Sequence, residues 1–261
     1  MRGIDGVIQK MDQIANQCSR EANPAGYFVV LYRLVTIEIK EQMEHGIFDS
    51  NDRVEKLDEI FAQRFFDAFD SWYNGEDKPV TDSWRVAFEA AEQQHGMLMQ
   101  HMLLGINAHI NLDLGIAAAE SMKGQDMKLL RDDYNRVNAI LNSLVDRVKR
   151  NIGSASFLFN PLMRLASGRD EVLVNFSILT AREGAWKFAL RYKNSNNSKE
   201  LLLKRDKSIA SLGSRIISPG RFLGVIVRII RIGERHDVPE TMNRLASAAA
   251  GDGEQIVLLT T

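Results

Sequence analysis

The chain has 261 residues, 45% hydrophobic and 26% charged, with a formal net charge of −1 at pH 7. It is long enough for one large core or two smaller ones, and it lacks the basic excess of a general nucleic-acid binder. A single cysteine, Cys18, excludes an internal disulfide and makes a cytoplasmic setting the natural expectation.

Met1 to Cys18 mixes polar and apolar residues, so no secretory signal is expected. No window offers about 18 uninterrupted apolar residues, so no transmembrane segment is expected either. Five prolines and abundant Leu, Ala, Glu, Lys, Arg and Met favour helices. A first helix is predicted over Ile4–Ser19. Asn23 followed by Pro24 reads as an N-cap with proline at the first helical position. The helix it opens carries Tyr27, Leu31, Leu34 and Val35 on one face and ends near His45-Gly46. Asp52 and Glu55 read as a capping box. The third helix then shows Val54, Leu57, Phe61, Phe65 and Phe69 at helical spacing and stops at Asn74-Gly75. Asp77 to Asp82 is a turn.

One long helix is predicted from Thr81 or Asp82 to a point before Gly124, holding Trp84, His95 and the segment His101–Asp113. Asp126 to Asn151 forms the next. A loop with Pro161 follows, with a short helix around Leu162–Ala166. Gly168-Arg169-Asp170 opens a helix reaching Tyr192, and Lys193–Ser198 is a flexible Asn- and Ser-rich linker. Further helices are predicted over Glu200–Ile217, from Ser218-Pro219 to Gly233, and over Pro239–Ala249. No internal repeat of fixed period is present. The expected fold is all-α: a single compact, bundle-like domain of about eight to ten helices over residues 1–250, with a loose tail at 251–261.

The segment His101–Asp113 reads His-Met-Leu-Leu-Gly-Ile-Asn-Ala-His-Ile-Asn-Leu-Asp. Polar groups buried without partners cost roughly 2–7 kcal/mol each, so this stretch points to a site. On a helix, His101, Gly105, His109, Leu112 and Asp113 share one side, and Asn107 and Asn111 lie opposite. His109 and Asp113 stand about 6 Å apart along the axis, close enough for one metal ion or an acid–base pair. His101 is about 12 Å from His109 and cannot join the same ion unless the helix bends. Gly105 allows either a kink or a close approach by a neighbour. The alternative is a buried His–Asp hydrogen bond that joins two helices.

Other candidates are weaker. Glu41 and His45 have the spacing for one ion, but His45 also suits a helix C-terminus. Arg33 lies in an apolar context and is expected to pair with Asp58 or Asp113. Arg182 and Glu183 sit near Trp186 and either enter the core or are solvated. Asp132-Asp133 resembles a Mg²⁺–diphosphate pair of isoprenoid cyclases, but Asn138 and Asn142 complete no second metal motif, and a surface role is preferred. Arg221, Arg228, Arg231 and Arg235 form a stripe opposite Phe222, Ile226, Ile229 and Ile230. That stripe suits a solvated face over a buried one better than contact with an anionic membrane surface. Phosphate loops, nucleophile elbows, His-Glu-x-x-His and Cys-x-x-Cys are absent from the sequence.

Leu-Leu-Gly-Ile-Asn-Ala-His-Ile-Asn-Leu-Asp-Leu at positions 103–114 resembles the signature of an uncharacterised bacterial family, one of the domains of unknown function. Tyr32 to Thr36, Arg53 to Asp58 and Ala181 to Trp186 resemble its other blocks in the same order. The resemblance covers about Gly26 to Arg235 and implies a single all-α domain with no activity to carry over. It singles out His101, Asn107, His109, Asn111 and Asp113, with Arg33 and Asp58 behind them.

The function these residues suggest is an enzyme acting on a small, largely apolar molecule in a pocket between helices. His109 would be general base or metal ligand, Asp113 its orienting partner or co-ligand, and His101 a second acid–base or ligand group. The asparagines would orient substrate or backbone. A divalent metal such as zinc or iron is one option. A metal-free cyclase or isomerase that steers protons with the same groups is the second. The third is a non-enzymatic helical binding or scaffold protein in which the polar segment fixes helix register.

Overall fold

Local capping chemistry sets several helix starts. Ser50, in extended conformation, accepts a hydrogen bond from Arg53 N at 3.3 Å and starts one helix. Asn23 Oδ1 accepts from Ala25 N at 2.9 Å at the start of another, and Asn197 Oδ1 accepts from Glu200 N at 3.3 Å. The computed structural model of the chain describes residues 3–155, 178–233 and 237–249, and all regular structure among them is helical. The helices are α1 Gly3–Arg20, α2 Ala25–Glu44, α3 Asn51–Tyr73, α4 Asp82–Glu92, α5 Leu98–Ser121, α6 Lys128–Ala155, α7 Ile178–Lys193, α8 Ser198–Ile217, α9 Arg221–Gly233 and α10 Val238–Ala249. The Pro161 loop, the Leu162–Ala166 helix, the start at Gly168–Asp170, Arg235 and the tail at 251–261 lie outside the described residues.

Three local expectations are corrected. The cap of α3 is Ser50, so Asp52 already lies inside the helix, and Glu55 instead accepts Ile4 N of α1 at 3.0 Å. The long helix from Asp82 breaks after Glu92. Gln94 has φ 46° and Gly96 φ 127°, and His95 lies in the resulting turn. Gly96 takes its backbone angle without the Cβ penalty, which makes the break affordable. In α9, Ile230 is fully buried, but Ile229, expected on the same buried stripe, is exposed together with Val225.

Two helix starts are capped from a distance. Asp133 of α6 is fully buried and accepts from Asp49 N at 2.7 Å and Ser50 N at 3.2 Å, with Arg136 at 2.7 Å. Asp206 of α8 does the same for α4, accepting from Asp82 N at 2.8 Å and Ser83 N at 2.9 Å. Asp206 satisfies free amide protons in the first turn of α4, at its positive end, and Asp133 binds the two amides just ahead of α3. Asp133 therefore pins α3 to α6.

The helices enclose α5, which packs against α2, α3, α4, α7 and α8. Nearly every residue of α5 is buried, polar ones included. Gly105 makes one crossing possible: a methyl group there would lie 2.7 Å from Phe28 Cβ, so the glycine serves the close approach of α2. By length and composition α5 is apolar enough to cross a bilayer, and its whole apolar window is buried inside the bundle. A core helix enclosed by others carries the same composition.

Candidate active site

The middle of α5 departs from α-helical winding. His109–Asp113 forms a π turn, closed by Leu114 N–H donating to His109 O. Single π turns are rare inside α-helices and frequently mark functional sites. Here the turn presents His109 Nδ1 to Asp113 Oδ2 at 3.3 Å. Arg64 Nε of α3 donates to Asp113 Oδ1 at 2.8 Å, and Trp84 Nε1 of α4 donates to Oδ2 at 2.8 Å.

These bonds settle protonation. Burial pushes the Asp113 carboxyl up, but Arg64 and the bonds from His109 and Trp84 outweigh it and hold the group below its ordinary value. An ionised carboxylate only accepts, so His109 Nδ1 carries the ring proton and Nε2 keeps its lone pair. Burial lowers the His109 pKa despite the stabilising bond to Asp113, so the imidazole is neutral at neutral pH. Phe61 stacks on the ring with centroids 3.5 Å apart and planes 8° from parallel. Tyr32 meets it edge-on at 4.5 Å. The imidazole is thus fixed in tautomer by the carboxylate and in orientation by aromatic contacts.

His109 lines a cavity of about 70 Å³ between α2, α3, α5, α6 and α7. At ~10–15 Å³ for the centre of one water, this is room for several waters or part of a small ligand. Most of its wall is aliphatic or aromatic, including Leu31, Val35, Leu57, Phe61, Ile110 and Leu141. Tyr32, Asp58, His109 and Arg182 interrupt that wall. Three buried atoms on them have no hydrogen-bond partner among the described residues: Tyr32 OH, Asp58 Oδ2 and His109 Nε2. Burial, reinforced by Glu59 and Glu55, pushes the Asp58 carboxyl up to about 7. Burial, then Asp58 and Asp113, pushes the Tyr32 phenol well above its ordinary value. At neutral pH the cavity therefore holds an acceptor at His109, a donor at Tyr32 and a carboxyl near its titration point at Asp58.

The other expected residues lie elsewhere. His101 lines a separate crevice with Phe65, Trp84, Ala87 and Gly105, and Phe28 borders both spaces. Its Nδ1 has no partner, and burial, with Arg231 and His95, lowers its pKa to about 4. Asn107 Nδ2 donates to Ile209 O at 2.9 Å, and Asn111 Nδ2 donates to Asn107 Oδ1 at 3.0 Å. With Arg205 Nε on Asn111 O at 3.0 Å, this face ties α5 to α8. The asparagines thus hold backbone, one of the two roles expected for them. Arg33 pairs with Asp12 rather than with Asp58 or Asp113. His45 Nδ1 bonds Glu41 O at 2.8 Å, leaving no imidazole–carboxylate pair there. Among the described residues, no three His, Cys, Asp or Glu side chains converge as metal ligands. Asp113 is instead engaged by a guanidinium, an indole and the imidazole itself.

The sequence did not point to Tyr32, Phe61, Arg64 or Trp84 as members of the site. Arg64 and Trp84 lie 49 and 29 residues from Asp113, so helical spacing could not join them. The available signal was an arginine and an indole N–H on otherwise apolar faces, since both need buried partners.

Fold and site together define an all-α protein built around a buried histidine–aspartate pair at an apolar cavity. Residues 4–219 match the model of a family of unknown function, DUF5995, and the chain belongs to that family. No curated protein and no solved structure matches it.

Proposed function

We propose that the protein is an enzyme that moves a proton on a small, largely apolar molecule held between α2, α3, α5, α6 and α7. His109 Nε2 is the general base, Asp113 orients it and stabilises the imidazolium that forms, and Tyr32 and Asp58 donate to or reprotonate the substrate. The observation that carries this reading is the pairing of His109: Nδ1 is engaged by an ionised carboxylate while Nε2 is buried, unpartnered and on a cavity residue. A structural hydrogen bond accounts for Nδ1 but leaves Nε2 at a cost of roughly 1–3 kcal/mol. The donor set suits metal-free proton transfer better than a shared His109–Asp113 metal ion, because the Arg64 guanidinium lies on the carboxylate that would have to bind the cation.

Base-promoted ring opening of 5-nitrobenzisoxazole tests the reading without knowledge of the natural substrate, because it needs only a base in an apolar pocket. The wild type should accelerate it, and His109→Gln, folded by circular dichroism, should lose about 10²-fold or more. Equal rates in wild type and His109→Gln would refute the assignment.

A further inference from the structure

We propose that the molecule bound in this cavity is a small apolar carboxylate whose head group pairs with Arg182; this rests on the proton-transfer reading and names its substrate class. Arg182 is 2% exposed and lines the same cavity as His109 and Asp58. Its Nε donates to Asn138 Oδ1, and its Nη2 lies 3.4 Å from Tyr134 O. The guanidinium carbon sits 4.4 Å above the Tyr134 ring. All of these partners are neutral. Among the described residues no carboxylate pairs with Arg182: Glu183 is engaged with Arg131 and Asp133 with the backbone ahead of α3, and Asp58, on the same cavity, makes no ion pair with it.

A buried guanidinium without an anion is anomalous. Lysine or histidine can neutralise by losing a proton, but arginine cannot. Isolated buried charges are strongly disfavoured, and a bidentate carboxylate is the partner the planar fork fits. Apart from Tyr32, Asp58 and His109, the rest of the wall is hydrocarbon, with Val35, Ile39, Leu57 and Leu141, and suits an apolar body. One polar head at Arg182 and an apolar chain running past His109 fill both requirements.

Calorimetric titration of the full chain with octanoate, 1-octanol and octylamine tests this, since only the head group differs. Octanoate should bind the wild type at least tenfold more tightly than 1-octanol, and octylamine more weakly than both. Arg182→Gln should erase the preference for octanoate while keeping 1-octanol binding. Equal binding of octanoate and 1-octanol, binding of neither, or an undiminished preference in Arg182→Gln would overturn the inference. If Arg182→Gln does not fold, the wild-type ranking alone decides. The two readings fail separately: loss of the octanoate preference with benzisoxazole opening intact rejects the carboxylate, and the reverse result rejects the base.

Discussion

Asp58 offers the sharpest test of the cavity, because replacing it should stabilise the protein in a pH-dependent way. Its carboxyl titrates near 7 in the folded chain against an ordinary value of 3.8. Between those values the folded state holds a proton that the unfolded state has lost, so stability falls as pH rises through this range and the loss is complete above about 7. The whole gap corresponds to about 4 kcal/mol, of which about 2–3 kcal/mol develops between pH 5 and pH 8. Asp58→Asn is neutral at every pH and nearly isosteric, and Oδ2 has no partner to lose. Urea unfolding of wild type and variant at pH 5 and pH 8 isolates this one group, because all other titrations cancel in the difference. The stability of Asp58→Asn relative to wild type should rise by about 2–3 kcal/mol from pH 5 to pH 8. An unchanged difference at the two pH values would mean that Asp58 is solvated or paired, and the unpartnered carboxyl in the cavity would have to be abandoned.

Asp113→Ala removes the acceptor shared by Arg64, Trp84 and His109, and should cost about 3–5 kcal/mol in urea unfolding; a loss under about 1 kcal/mol would contradict the buried ion pair. His101 behaves oppositely to Asp58. Its pKa falls from 6.5 to about 4, so the unfolded chain takes up the proton first and stability drains away as pH falls below 6.5. His101→Leu should therefore lose about 2 kcal/mol less than wild type between pH 7 and pH 5, and equal losses would count against its burial. Gly105→Ala must displace the Phe28 ring, at about 1–3 kcal/mol; thermal unfolding of the variant at the wild-type temperature would refute the close approach of α2.

The fold was legible where a helix end is decided by its own few residues. His45-Gly46 and Asn74-Gly75 follow the ends of α2 and α3, and Asn23-Pro24 precedes α2, with Pro24 as the cap rather than the first helical residue; Ser218 closes α8, and α9 starts two residues after Pro219. The misreadings share a cause. Asp52 with Glu55 has the spacing of a capping box, but Ser50 lies two residues upstream and Glu55 is taken by the backbone of α1. The break between α4 and α5 has one glycine and no proline, and nothing in the apolar periodicity announces it. Where competing local signals are of similar strength, a tertiary contact chooses between them, and sequence spacing carries no record of that choice.

The site divides along the same line. The pairing of His109 with Asp113 was legible from their spacing, though the π turn that holds them was not, and so was the separation of Asn107 and Asn111 onto another face, where they bind α8. Arg33 and Arg64 both sit among apolar residues near a carboxylate-hungry core, yet Arg33 goes to Asp12 and Arg64 to Asp113. No property of either residue by itself distinguishes them. What separates a structural staple from a working site is likewise invisible in the sequence. A staple satisfies every atom it buries. Among the described residues, eight buried side-chain atoms lack partners, and three of them belong to Tyr32, Asp58 and His109 on one cavity wall, beside an arginine without an anion. A chain selected only for packing would sooner replace these four groups with hydrocarbon of equal volume. Their concentration around a single space is what the polar groups of a bound molecule would offset, and that is the physical reason to propose the chemistry at His109 rather than at His101, whose unpartnered nitrogen stands alone in its crevice.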